Sequence, residues 1–283
     1  MDIKNVCVIG AGAMGLGIAQ LAATHGYHVN LVDITEEILK KAKASIVKNL
    51  DRFFVAKGKL SDEEAKNILS RINLTTNKDE AIKDVQIVIE AIFEDMALKQ
   101  DLFYDLDKKC QKNVILASNT SSLCITDMAK KATNQERIVG IHFFNPAPVM
   151  KLIELIKGKN TSDEILDASK NFAQSLNKTV VTVNDSPGFI TTRLIYVLCN
   201  EAINMKQEGI ASTEDIDTAV KLAFNFPMGP LELSDLVGND IYLHIGKYLT
   251  EKLGENYAPS SLLRKMVKNN SIGRKTKKGF YNY

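Results

Sequence analysis

Residues 5–15 read NVCVIGAGAMG, a short apolar run that enters a glycine-rich turn. Such runs are typical of the fully buried strands of parallel sheets. A helical pattern follows at residues 15–24, and residues 28–33 read HVNLVD, a second apolar run that ends in an acid. The succession of strand, turn, helix and strand predicts the beginning of a dinucleotide-binding fold.

The turn matches the pattern G-x-G-x-x-G, and each glycine has a physical role in it. Gly10 permits the tight turn, Gly12 lets the backbone approach a pyrophosphate, and Gly15 allows the helix to pack closely on the strand. The free N–H groups at the start of the helix favour phosphate. The predicted cofactor contacts in the turn are Gly10, Ala11, Gly12, Ala13, Met14 and Gly15.

Asp33 ends the second apolar run at the spacing expected for an acid that binds the ribose hydroxyls of the cofactor. A carboxylate there repels a 2′-phosphate, and Ile34 and Thr35 offer no compensating arginine. The sequence therefore predicts NAD rather than NADP, and the alternative is a glycine-rich turn with no ligand.

Further apolar runs at residues 85–91, 114–118 and 138–143 alternate with helical segments, which predicts a parallel sheet covered by helices on both faces. The run at residues 151–156 follows a short turn, and so short a connection allows only a hairpin. We expect an α/β, Rossmann-type, mostly parallel sheet with an antiparallel strand near residues 151–156, followed by a smaller all-α C-terminal domain.

Two domains are predicted from the change of pattern near residues 185–188, which read DSPG. The first, residues 1–184, is a NAD-binding Rossmann-like domain with a charged helical insertion at residues 35–71. The second, residues 185–283, shows helical periodicity and no convincing strand. We expect it to be all-helical and to serve substrate binding and dimerisation.

Composition excludes several function classes. The 283 residues carry 36 Lys and Arg against 34 Asp and Glu, a balance that does not point to nucleic acid or an anionic membrane. No apolar run reaches the roughly 20 residues of a membrane span, and no secretory signal begins the sequence. Cys7, Cys110, Cys124 and Cys199 lie far apart, so neither a metal site nor a disulfide is indicated. The sequence predicts a cytoplasmic protein.

His142 is the candidate acid/base among four histidines, because it ends an apolar strand where open α/β sheets bind ligands. A hairpin centred on Pro148 would place His142 opposite Glu154. A neutral imidazole can take a proton from an alcohol, and a facing carboxylate would fix its tautomer. A histidine packed only for structure is the alternative. Asn119, Ser121 and Asn145 also follow strand ends, where they could hold a substrate oxygen or the nicotinamide.

These residues resemble the 3-hydroxyacyl-CoA dehydrogenase family, especially its short bacterial 3-hydroxybutyryl-CoA members, over almost the whole chain. Beyond the glycine-rich turn and Asp33, the matching stretches are IEAIFE at 89–94, SNTSS at 118–122, HFFNP at 142–146, MKLIE at 150–154, DSPGF at 185–189, PMGPLEL at 227–233, GRKT at 273–276 and GFY at 279–281. The HFFNP block joined to the downstream glutamate is highly specific.

The resemblance implies NAD-dependent interconversion of (S)-3-hydroxybutyryl-CoA, a short-chain 3-hydroxyacyl-CoA, and acetoacetyl-CoA. His142 would be the general acid/base, Glu154 its partner, and Ser121 would hold the 3-oxygen of the substrate. The resemblance also implies a homodimer formed through the C-terminal domain. The cofactor residues implied on the nicotinamide-ribose side are Glu94, Lys99, Asn145 and Lys275. Asn119 and Ser121 are also predicted to contact the cofactor, because they follow strand ends.

Thr192 departs from the family pattern, because the family often reads IVNR where residues 190–193 read ITTR. The asparagine reaches the substrate carbonyl region in the family, and a hydroxyl is shorter and lacks the two-armed amide. We expect Thr192 to take this catalytic position with a single hydrogen bond, or a nearby residue such as Asn200 to substitute.

An acyl-CoA substrate carries several phosphates, and the charged insertion is the natural place to bind them. The expected contacts are Lys48, Arg52, Lys57 and Lys59; the alternative is ordinary solvated surface charge. Two other functions stay open: a related dehydrogenase of free hydroxy acids, of the gulonate type, and a non-catalytic NAD-binding protein.

Overall fold

The computed structural model describes residues 1–283, apart from the side chain of Phe53. The chain divides into two compact units, Met1–Asp185 and Ser186–Tyr283. The first unit is built on one sheet with helices, and the second unit is helical.

The sheet of the first unit has eight strands in the order β3-β2-β1-β4-β5-β6-β7-β8. The strands from β1 to β6 are parallel, β7 is antiparallel to β6, and β8 is parallel to β7. This confirms the predicted mostly parallel sheet with an antiparallel strand near residues 151–156. The strands are β1 Asn5–Ile9, β2 His28–Val32, β3 Ile72–Thr75, β4 Ile87–Glu90, β5 Ile115–Ser118, β6 Ile138–Phe143, β7 Leu152–Lys157 and β8 Thr179–Asn184.

Strand β3 is absent from the sequence prediction, which has no strand between residues 35 and 84. Its four residues read INLT, and it pairs only with β2 at the edge of the sheet. An edge strand needs no continuous apolar run, because solvent reaches one of its sides. So short and mixed a segment gives no periodic signal.

The helices of the first unit include a pair within the predicted insertion at residues 35–71. Helix α2 buries Leu39, Ala42, Ile46 and Leu50, and a π-helical segment, Asp51–Val55, continues it. Ser61 and the carboxylate of the third helical residue form the reciprocal capping box that begins α3. The helices are α1 Ala13–Thr24, α2 Glu36–Leu50, α3 Asp62–Ser70, α4 Lys78–Ala81, α5 Met96–Lys109, α6 Ile125–Met128 and α7 Asp163–Ser175.

The core of this unit is apolar until the strands reach their carboxyl ends. Ile87 and Ile89 of β4 and Ile115 of β5 are fully buried. The last residues of these two strands are Glu90 and Ser118, which are also fully buried but polar. The side chains thus change from apolar to polar at the carboxyl ends of the strands, the edge at which open α/β sheets bind ligands.

The second unit packs five helices and the last residues of the chain around Tyr196, Cys199 and Ile203. The buried carboxylate of Asp235 accepts hydrogen bonds from the amides of Phe280 and Tyr281, which fixes the end of the chain. The helices are α8 Thr191–Gln207, α9 Thr213–Phe224, α10 Pro230–Val237, α11 Asn239–Leu253 and α12 Ser261–Lys268. No helix of the described residues is long and apolar enough to cross a membrane.

Candidate active site

His142 and Glu154 face each other across the antiparallel pair β6–β7, which confirms the register predicted from the hairpin. His142 Nδ1 lies 2.8 Å from Glu154 Oε2, and both residues are buried. A carboxylate accepts hydrogen bonds, so Nδ1–H is the donor in this contact. The Phe144 ring packs against the imidazole, with 4.4 Å between the ring centres. The carboxylate and the Phe144 ring thus fix the orientation of the imidazole.

Ser121 lies on a turn that the Glu94 carboxylate organises. Oε1 of Glu94 accepts hydrogen bonds from the Thr120 hydroxyl at 2.5 Å and from the amides of Ser121 and Ser122 at 3.1 and 3.3 Å. Thr120 and Ser122 are buried, whereas Ser121 is partly exposed. Burial acts to raise the pKa of Glu94, but the Lys99 ammonium and the hydrogen bonds from this turn outweigh it, so the pKa is lowered. Glu94 is therefore a carboxylate at neutral pH.

Lys99 lies in the core rather than on an open surface, with 1% of its side chain exposed. Its Nζ is 2.5 Å from Glu90 Oε1 and 3.3 Å from Glu94 Oε2. The sequence comparison implies a place for Lys99 on the nicotinamide-ribose side. In the structure its ammonium is held between two carboxylates.

Asn119 and Asn145 follow strands β5 and β6 as predicted, but their surroundings differ. Asn119 is buried, and its Oδ1 accepts a hydrogen bond of 2.9 Å from the Phe143 amide, which ties the ends of the two strands together. Asn145 is exposed and begins the β6–β7 loop. Lys178 Nζ donates to the carbonyls of Ala147 and Met150 in that loop, a clamp for which the sequence offers no periodic or motif signal.

The glycine-rich turn has the shape that a dinucleotide pyrophosphate requires. Gly10 has φ +101°, and a Cβ on it would meet the Ala91 carbonyl at 2.4 Å; a Cβ on Gly15 would meet Gly10 itself. A Cβ on Gly12 would meet nothing within 4 Å, so the space above the turn is open. The N-terminus of α1 is not capped by a side chain. These features fit a phosphate group bound by backbone amides.

Asp33 closes the other side of the turn. Its Oδ2 accepts a hydrogen bond of 2.6 Å from the Ala11 amide, and its Oδ1 accepts one of 2.7 Å from Ile34. Ile34 and Phe93 extend into solvent beside this edge, each 86% exposed. Phe93 was not among the residues predicted for the site, although it lies within the motif IEAIFE.

Comparison with known proteins gives the family of the chain. Residues 5–186 match the 3-hydroxyacyl-CoA dehydrogenase, NAD binding domain, and residues 188–283 match the 3-hydroxyacyl-CoA dehydrogenase, C-terminal domain. The chain belongs to the 3-hydroxyacyl-CoA dehydrogenase family. It is therefore a member of an oxidoreductase family with a Rossmann-type NAD-binding domain.

Individual members of the 3-hydroxyacyl-CoA dehydrogenase family resemble the chain over nearly its full length. The 3-hydroxybutyryl-CoA dehydrogenase of Clostridioides difficile is 44% identical over 99% of both chains. The human mitochondrial hydroxyacyl-coenzyme A dehydrogenase is 45% identical over 99% of this chain and 91% of its own. The crystal structure of (S)-3-hydroxybutyryl-CoA dehydrogenase from Ralstonia eutropha superposes with a TM-score of 0.95, at 41% identity, over 100% and 99% of the two chains.

The basic residues expected to contact CoA lie where α2 ends in this member of the family. Lys48 is in the last turn of α2, Arg52 is in the π-helical segment, and Lys57 and Lys59 follow it. All four are exposed. The structure thus gathers them on one short stretch of the first unit.

The remaining predicted residues belong to the helical unit. Thr192 is in the first turn of α8 and is buried. Lys275 pairs with Asp240, with Nζ 3.1 Å from the nearer carboxylate oxygen.

Asn200, the other residue predicted for the place of the family asparagine, is engaged in contacts within the helical unit. It lies about two turns further along α8 than Thr192. Both ends of its amide are already bonded: Nδ2 donates to Ala258 and Oδ1 accepts from Ser260. Asn200 therefore holds the segment that leads into α12.

Proposed function

We propose that the protein is a NAD-dependent dehydrogenase that interconverts (S)-3-hydroxybutyryl-CoA and acetoacetyl-CoA. The contact between His142 Nδ1 and Glu154 Oε2 carries the proposal, because it orients a proton-transfer group at the ligand-binding edge of a dinucleotide-binding sheet. The names of the similar proteins above support the substrate, and family membership supports the nicotinamide cofactor.

The chemistry follows from the orientation of the imidazole. When bound by the glycine-rich turn and Asp33, NAD would supply the hydride acceptor for carbon 3 of the hydroxyacyl group, and NADH the hydride donor for the reverse direction. His142 Nε2 takes the proton of the 3-hydroxyl, and the Glu154 carboxylate stabilises the imidazolium that results. In reverse the imidazolium protonates the 3-oxygen. A positioned proton donor or acceptor of this kind contributes about 10²–10⁴-fold to the rate.

Ser121 supplies the second contact to the reacting oxygen in this proposal. Its hydroxyl is on a turn whose backbone amides are bound to Glu94, so the hydroxyl is held at a fixed position beside β5. We assign Thr192 to the substrate carbonyl with one hydrogen bond in place of the family's amide.

The proposed cofactor is NAD, with NADP disfavoured by the Asp33 carboxylate. That carboxylate is fixed beside the glycine-rich turn by the Ala11 amide, and a 2′-phosphate near it would meet like charge. Glu94, Asn119 and Asn145 would contact the nicotinamide side directly. Lys99 and Lys275 are also proposed on this side, as cations paired with acids. Lys99 pairs with Glu90 and Glu94, and Lys275 pairs with Asp240.

The acyl carrier and the second copy of the chain complete the proposal. Lys48, Arg52, Lys57 and Lys59 would bind the phosphates of CoA. In the helical unit, α8 presents an exposed apolar face formed by Leu194, Val197 and Met205, at helical spacing. We propose that this unit, residues 185–283, forms a homodimer through such apolar surface and contributes to the substrate site, while residues 1–184 hold the cofactor.

The test is the oxidation of NADH with acetoacetyl-CoA and, separately, with free acetoacetate. The proposal predicts turnover of the thioester, with a kcat/KM at least about 100-fold above that of the free acid, because only the thioester offers the CoA contacts. Comparable rates with both would favour a hydroxy-acid dehydrogenase. Binding of NADH without turnover of either substrate would contradict the proposal.

A further inference from the structure

Beside the Ser121 turn lies an ionic cluster of Glu90, Lys99 and Glu94, in which Glu90 and Lys99 are buried and Glu94 is partly exposed. Glu90 is fully buried at the end of β4, after Val88 and Ile89, which are apolar and equally buried. The cluster contains two carboxylates and one ammonium. A buried ion pair adds little net stability over apolar residues of the same volume, so stability alone does not account for a carboxylate at this place.

Both carboxylate oxygens of Glu90 accept hydrogen bonds from groups next to the turn in sequence or in space. Oε1 accepts from Lys99 Nζ at 2.5 Å and from the Ile92 amide at 2.7 Å. Oε2 accepts from the Ser118 hydroxyl at 2.6 Å. The same hydroxyl oxygen then accepts the Thr120 amide at 3.1 Å. Glu90 thus connects β4, α5 and β5 through one carboxylate.

Two chains of contacts run from this carboxylate to the turn of residues 120–122. The first passes through Ser118 to the Thr120 amide. The second passes through Lys99 to Glu94, whose Oε1 binds the amides of Ser121 and Ser122. The backbone on both sides of the Ser121 side chain is therefore held by groups that Glu90 fixes.

We propose that Glu90 is a positioning residue of the active site, which acts through Ser118 and Lys99 to hold the turn of residues 120–122 and with it the Ser121 hydroxyl. The importance of that hydroxyl rests on the function proposed above. The structural role of Glu90 in holding the turn does not rest on that function, because it follows from the contacts alone.

The test is Glu90→Gln, which keeps the size of the side chain. An amide nitrogen in place of Oε2 cannot accept the Ser118 hydroxyl hydrogen, and Lys99 loses its closer negative partner. Asp107→Asn is the matched control. Asp107 is likewise buried and paired, with Oδ1 2.8 Å from Arg137 Nη2, but it lies near the far end of α5 from Lys99.

Amide hydrogen exchange at residues 120–122, measured by mass spectrometry without cofactor, shows how firmly the turn is held. We expect Glu90→Gln to accelerate exchange at residues 120–122 at least about tenfold over wild type, an opening free energy lower by about 1.4 kcal/mol. Residues 125 and 126 serve as an internal reference, because Asp185 holds their amides. Their exchange should stay at the wild-type rate in Glu90→Gln. In Asp107→Asn, exchange at both segments should match wild type once the change in the variant's global free energy of unfolding is taken into account.

Steady-state kinetics measures the effect of the substitution on kcat and KM. With acetoacetyl-CoA we expect Glu90→Gln to lower kcat about 10–100-fold, with KM changed less than about threefold, since a misplaced contact acts in the transition state. Unchanged exchange at residues 120–122 in folded Glu90→Gln would overturn the proposal. So would a wild-type kcat in a variant whose turn exchanges faster.

The proposed function can fail separately from this inference. If the wild-type protein binds NADH and does not turn over acetoacetyl-CoA, the substrate assignment fails, and the exchange at residues 120–122 still decides the role of Glu90. Should Glu90→Gln not fold, Glu90→Gln combined with Lys99→Met removes both partners of the pair and leaves no buried charge unpaired between them. The same acceleration at residues 120–122 is expected there, and wild-type exchange would overturn the inference.

Discussion

His142 and Glu154 form a buried pair across the point where the sheet changes from parallel to antiparallel strands. The residues stand directly opposite in the β6–β7 register, with 2.8 Å between Nδ1 and Oε2. A β-hairpin fixes such a pair through backbone hydrogen bonds, so the orientation of the imidazole depends little on loops. The imidazole is thereby held by two paired strands rather than by a loop.

Glu154→Gln should therefore lower the rate without removing the cofactor. The amide can still contact Nδ1, but it does not stabilise the imidazolium, so we expect kcat with acetoacetyl-CoA to fall about 10²–10⁴-fold. The affinity for NADH, measured by fluorescence titration, should stay within about threefold of wild type. Glu136→Gln, at an exposed glutamate of the same unit, is the control. A wild-type kcat in Glu154→Gln would contradict the role of the pair.

Asp33 should set the preference for NADH over NADPH. We expect Asp33→Ser combined with Ile34→Arg to shift the ratio of the two kcat/KM values toward NADPH by at least about tenfold, which corresponds to about 1.4 kcal/mol. The change removes one negative charge and adds a partner for the 2′-phosphate. Asp101→Ser, at an exposed acid on α5, should leave the ratio unchanged. An unaltered ratio in the double variant would show that Asp33 does not select the cofactor.

Lys48 and Arg52 should act on the affinity for the thioester and not on the chemical step. Each substitution by alanine is expected to raise KM for acetoacetyl-CoA about 3–10-fold with little change in kcat, because a uniform binding contact is lost. The effect should shrink as salt screens exposed charges. Lys40→Ala, near the start of the same helix and paired with Glu36, is the control. Equal KM values for Lys48→Ala, Arg52→Ala and Lys40→Ala would contradict a CoA site at the end of α2.

Asp107 should make stability depend on pH in the acid range. Burial acts to raise its pKa, but hydrogen bonds from Arg137, Asn134 and the Thr133 amide outweigh it, so the pKa is lowered from 3.8. A group with a depressed pKa contributes stability above its unfolded pKa and loses it as the pH falls through the folded value. Asp107→Asn should lower the free energy of unfolding at pH 7 by about 3–5 kcal/mol, as expected for a broken buried pair.

Denaturant unfolding of both proteins at several pH values checks this prediction. The difference in the free energy of unfolding between wild type and Asp107→Asn should be constant from pH 7 down to about 5. It should shrink below pH 3.8, because the wild-type carboxylate becomes protonated as the pH falls through its lowered pKa. A difference that grows toward low pH would have the wrong sign for a depressed pKa.

Much of the fold followed from residues whose pattern is local. The buried strands, the glycine-rich turn and the hairpin that pairs His142 with Glu154 each depend on short-range spacing, which a sequence displays directly. Strand β3 was not predicted, because an edge strand with three half-buried residues and one exposed residue needs neither a continuous nor a strictly alternating apolar pattern.

The cluster around Lys99 and the clamp made by Lys178 could not be predicted for a different reason. Lysine is almost always exposed, and the spacing of Glu90, Glu94 and Lys99 does not show that the two carboxylates hold the ammonium in the core. Lys178 binds backbone carbonyls of the β6–β7 loop from a distant segment, so no side-chain motif records the contact. Asn200 likewise bonds to backbone groups of a distant segment in the helical unit, which its residue type alone does not show.

The most direct test of the account is the single-turnover oxidation of bound NADH by acetoacetyl-CoA, compared between wild type and His142→Ala. The account predicts rapid oxidation by the wild-type protein and a rate lower by about 10²–10⁴-fold in a folded His142→Ala that still binds NADH. Oxidation at the wild-type rate in that variant would contradict the assignment of His142 as the group that protonates the 3-oxygen.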